Sequence, residues 1–67
     1  MALTDEQKQE IIDRLDNEEQ SKLEIILENV ESFLAWLGRV SVHLYNIIIA
    51  AKAAYDVFRA IARLFGY

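Results

Sequence analysis

The sequence predicts an all-α protein, and three observations carry that reading. First, thirteen positions spaced alternately three and four residues apart are apolar without exception: Leu23, Ile26, Val30, Phe33, Leu37, Val40, Leu44, Ile47, Ala51, Ala54, Phe58, Ile61 and Phe65. That spacing places them on one side of a helix, as in a heptad seam. Second, proline is absent and glycine occurs only at Gly38 and Gly66, in a chain that is 54% hydrophobic; turn-rich β architectures need more chain-breaking residues. Third, the 67 residues include no cysteine. A disulfide framework and a cysteine-based zinc site are both excluded, so so small a core must find its stability in apolar burial, most readily with other copies.

The first element is expected at about 5–16. Thr4-Asp5-Glu6-Gln7 has the form of a capping box, in which threonine and glutamine satisfy orphan backbone N–H groups and the acids suit the positive end of the helix dipole. Its apolar face is small: Leu3, Ile11, Ile12 and Leu15. Met1 to Glu6 lacks the basic head and apolar run of a secretory signal, which gives cytoplasmic placement as the expectation.

The second element is expected to run over about 18–65. Asn17-Glu18-Glu19-Gln20 repeats the capping pattern, although Asn17 could also sit within one unbroken helix. Gly38 is the obvious place for a break or kink, but Phe33 to Val42 offers no polar turn cluster and the heptad register passes through it. Acids at 18 and 19 and arginines at 59 and 63 would complement one long dipole at both ends. Uninterrupted, this helix would be roughly 70 Å long. A rod of that length cannot cover its own seam, so the thirteen positions are expected to form an oligomer interface, with the whole chain, residues 1–67, a single helical domain.

Charge orders the expected packing. Residues 1–31 carry net −7 and residues 32–67 net +3, for −4 overall. Antiparallel copies would set the acidic face of Glu24, Glu28 and Glu31 against the basic face of Lys52, Arg59 and Arg63, whereas parallel copies would stack like charges. The acidic half disfavours nucleic acid as a partner.

A membrane is the main alternative. Only Arg39 is charged between Glu31 and Lys52, a stretch of 20 residues, about the length of a bilayer span. Its nine Leu, Ile, Val and Phe residues contribute about −3 to −5 kcal/mol on an insertion scale, while Arg39 near the centre costs about 2.5–3.5. Arg39, His43 and Asn46 fall at spacings of four and three, a polar stripe that would line the lumen of an oligomeric pore or edge a water-facing bundle. The small side chains from Ala50 to Ala54 would let helices approach closely there. Trp36 and the tyrosines would serve as interfacial anchors in lipid or as bundle core in water.

No catalytic constellation is present. Ser41 and His43 point to different helical faces, and no glycine-rich phosphate loop occurs. His43 is the only histidine, with no acid three or four residues away, so no metal ligand set and no cofactor are expected; at an interface it would act as a pH-sensitive contact. Leu3-Thr4-Asp5-Glu6-Gln7, with a histidine in a downstream apolar stretch, resembles the opening of bacterial light-harvesting β polypeptides over five residues. The distance on to His43 is longer than in that family, and Arg39 stands where the family has a small residue, so no fold, pigment or site is carried over.

These readings converge on a non-enzymatic, self-associating helical assembly or adaptor protein, of the kind found among viral and phage components. The alternatives are a membrane-embedded oligomer of pore, lysis or genome-passage type, and an acidic inhibitor that offers Glu24, Glu28 and Glu31 to a basic partner protein.

Overall fold

A computed structural model describes residues 4–67. Leu3, expected on the first helix's apolar face, lies outside the described residues. These residues form five helices and no strand: α1 (Asp5–Asp16), α2 (Gln20–Ile26), α3 (Val30–Val40), α4 (Val42–Ala51) and α5 (Ala54–Leu64). The all-α expectation holds; the long second helix does not. Where a rod of some 70 Å was expected, the longest dimension of the described residues is 31 Å.

Three short joints break the rod, and each has a local cause. At the first, Asn29 takes an extended backbone and its side chain accepts the N–H of Ser32 at 2.8 Å, capping α3. At the second, Ser41 alone separates α3 from α4. Its N–H donates to the Leu37 carbonyl at 2.8 Å while its Oγ accepts the N–H of Leu44 at 3.2 Å, so one residue ends one helix and begins the next. At the third, Lys52 adopts the left-handed conformation, with φ 54° and ψ 37°. The N–H of Lys52 then bonds the Ile49 carbonyl and that of Ala53 bonds the Ile48 carbonyl, the paired bonds of a Schellman ending, with buried Ala53 following. Gly38 breaks nothing: it lies within α3, beneath the ring of Tyr45.

The first helix opens on the expected capping box of Thr4 and Gln7. The second does not form. Asn17 instead closes α1, its amide donating to the Asp13 carbonyl at 3.1 Å, and Glu19 precedes α2 without a side-chain cap.

Packing explains how the seam is covered. α3 lies against α2, α4 and α5, and α4 also meets α5. Within one chain Leu23, Ile26, Phe33, Leu37, Leu44 and Ile61 are buried, and the other seven seam positions are half-buried. Ile11 and Leu15 bring α1 into the same core, which is completed from off the seam by Leu27, Trp36, Ile48, Ala53, Val57 and Ala62. The seam is thus an interior shared by five helices of one molecule. The need for burial no longer calls for a second copy, because the joints let α2, α3, α4 and α5 pack on one another with apolar residues of every helix in one core.

Lys52 yields a stability prediction. A left-handed lysine is disfavoured by roughly 1–2 kcal/mol, and glycine gives back part of that in unfolded-chain entropy. Lys52→Gly is therefore expected to stabilise the protein by about 0.5–1 kcal/mol, a Tm rise of about 2–8 °C in a domain this size. A lower Tm in thermal circular dichroism would show that α4 does not end there.

Candidate functional surfaces

The joints redistribute the residues singled out in the sequence. Arg39 ends up on α3, while His43 and Asn46 lie beyond Ser41 on α4, so the three, all exposed, do not share one straight helix. Glu24 is on α2, Glu28 in the α2–α3 connection and Glu31 in the first turn of α3, exposed but not on a single helical face. Lys52 sits between α4 and α5, outside the face that carries Arg59 and Arg63. Among the described residues no helix is long and apolar enough to cross a membrane. Among them also, no group of three histidine, cysteine, aspartate or glutamate side chains is arranged to hold a metal ion.

Among the surfaces that the fold builds, three bear on these residues. Between α2 and α3 a groove of about 250 Å³ is lined by Glu18, Lys22, Ile25, Ile26, Trp36 and Arg39. Trp36, nearly buried beside the Phe33 ring, donates its indole N–H to Glu18 at 3.1 Å. This bond satisfies the one polar atom of a core aromatic, so Glu18 serves the fold and Trp36 is core.

A second groove, about 280 Å³, runs between the α2–α3 connection and α5. Leu27, Phe58 and Ala62 form its floor; Glu28, Arg59, Arg63 and Tyr67 stand around it. Glu28 thus lies near Arg59 and Arg63 inside one molecule. Arg59 also lies over the ring of Tyr55, its guanidinium carbon 5.6 Å from the ring centroid. At the groove's end, Gly66 has φ 83° and the N–H of Tyr67 bonds the Ala62 carbonyl at 2.8 Å. The Tyr67 hydroxyl accepts a hydrogen bond from the Gln20 amide, tying the end of α5 to the start of α2.

The third surface is the outer face of α4. This helix contains no formally charged side chain, with His43 counted neutral, unlike the other four. Its exposed positions are Val42, His43, Asn46, Ile49 and Ala50, with Val42 62% and Ile49 45% exposed. Sequence reading took this stretch as part of a possible bilayer span and did not single out its outer face. The signal available was the absence of charge between Val42 and Ala51. The chain matches no protein family, no curated protein and no solved structure.

Proposed function

We propose that this chain is a non-enzymatic helical assembly or adaptor module that associates with its own copies through the outer face of α4. The observation that carries this reading is the pairing of exposure with neutrality on that helix: Val42 and Ile49 stand out from a surface without formal charge. Two molecules of net charge −4 repel over most approaches, and an uncharged apolar face gives them the contact with least electrostatic cost.

The face is also self-complementary. In an antiparallel pair of α4 helices with its two-fold axis at Asn46, Val42 of each copy lies opposite Ala50 of the other and His43 opposite Ile49. The two Asn46 amides meet at the axis, where each can donate to and accept from the other. Burying one valine or isoleucine side chain fully is worth about 1.5–3 kcal/mol, against an association cost of about 4–15. A weak, concentration-dependent dimer follows, suited to repeated contacts in an assembly.

Val42→Glu combined with Ile49→Glu is expected to abolish this association, because the four introduced carboxylates face one another across the axis. Sedimentation in about 1 M salt, which screens contacts between exposed charges, should then show a monomer at all concentrations, with unchanged far-ultraviolet circular dichroism since both positions are exposed. Equal self-association of the variant and the parent protein would exclude α4 as the contact.

A further inference from the structure

We infer that α5 carries a second contact, independent of α4, in which Arg59 and Arg63 receive carboxylates from the acidic outer face of α1 of another copy of this chain. The two arginines are four residues apart on an exposed helix face, beside a groove floored by Leu27, Phe58 and Ala62. One helical turn, about 6 Å, separates them. The Arg59 guanidinium carbon lies over the Tyr55 ring, 5.6 Å from its centroid, and Arg59 is exposed, so its N–H groups can reach a carboxylate from outside.

The matching group is on the same chain's first helix. α1 turns Ile11 and Leu15 into the core and leaves Glu6 and Glu10 exposed on the other side, also four residues apart. Neither makes a side-chain hydrogen bond among the described residues: the cap of α1 is made by Thr4 and Gln7, and Asp13 is the acid that accepts from Gln9. No α1 residue lines the Arg59 and Arg63 groove of its own molecule. The charge split supports this choice of occupant, since residues 1–31 carry net −7 and residues 32–67 net +3. Glu28 and Asp56, which line the grooves beside Arg59, disfavour a continuous polyanion such as single-stranded nucleic acid more than two discrete carboxylates one turn apart. Because donor and acceptor surfaces differ, the contact is heterologous and propagates head to tail.

A charge exchange tests it. One variant carries Arg59→Glu with Arg63→Glu, the other Glu6→Lys with Glu10→Lys, and all four positions are exposed. Each variant alone is expected to lose the salt-sensitive part of self-association by about 100-fold or more, because like charges now face each other. An equimolar mixture is expected to recover it, as the acidic α5 of one variant meets the basic α1 of the other. Sedimentation at about 0.01 M and about 1 M salt reads the contact directly, since high salt screens exposed charge. Parent protein that is monomeric at both salt concentrations overturns the inference. So does a mixture of folded variants that stays unassociated, or a fluorescent single-stranded oligonucleotide that binds through Arg59 and Arg63 more tightly than the chain binds itself. The α4 variant, Val42→Glu with Ile49→Glu, should keep the salt-sensitive association, so either contact can fail without the other.

Discussion

Leu44→Asp is expected to unfold the protein at neutral pH. Leu44 is fully buried on α4, among apolar residues contributed by every helix. No buried polar or charged side chain is present among the described residues to pair with a new carboxylate. An unpaired charge in such a site costs several kcal/mol. The total stability of a domain this size is about 3–10 kcal/mol. Desolvation raises the folded-state pKa of the introduced aspartate above its unfolded value of about 3.9. The extra destabilisation relative to the parent is therefore smallest below the unfolded value, and it grows as pH rises through the folded one. Urea titration of parent and variant across that range measures the difference directly. A variant as stable as the parent at neutral pH would place Leu44 in solvent and refute the five-helix core.

Phe33→Ala tests the same core without charge, and a loss of about 3–5 kcal/mol is expected. The Phe33 ring is fully buried, with its centroid 6.0 Å from that of Trp36 and 5.8 Å from that of Phe58. It therefore joins α3 to α5, helices whose contact exists only if the chain folds back on itself. Aromatic pairing adds to the loss of area and to the cavity left behind. Near-ultraviolet circular dichroism should lose the Trp36 signal together with the far-ultraviolet signal in a single transition at lower denaturant. A change below about 1 kcal/mol would indicate an exposed ring, as in an extended rod.

The way the chain misleads a linear reading is physical. Helicity was legible from the spacing of Leu23 to Phe65, and the start of α1 from Thr4 and Gln7, because both signals are local. The breaks were not. Asn29 and Ser41 are good N-caps, but each lies in a run whose three-and-four spacing continues undisturbed across it, so the pattern of apolar residues does not register the turn. Asn29 and Ser41 could have been suspected from their residue types. Lys52 could not, since nothing in composition marks a lysine for the left-handed region. Gly38 attracted the suspicion that belonged to its neighbour three residues on. The surfaces suffered likewise: Arg39, His43 and Asn46 align only if the helix through Ser41 is straight. The opposition of acidic and basic halves was legible in the charge count, but the placing of Glu28, Arg59 and Arg63 around one groove needed the fold.

The corner at Ser41 is a fixed-length part. Threonine, asparagine or aspartate could take over its cap, since each offers a side-chain oxygen to the next helix. An added residue just inside α4 could not be absorbed. Each helical residue advances by about 100°, so one insertion between the Ser41 cap and Leu44 would rotate the rest of α4 by that amount against its start. Leu44 and Ile48 would swing away from the interior and polar His43 or Asn46 would turn toward it. Descendants and redesigns of this chain should therefore vary freely in the identity of that residue and hardly at all in spacing.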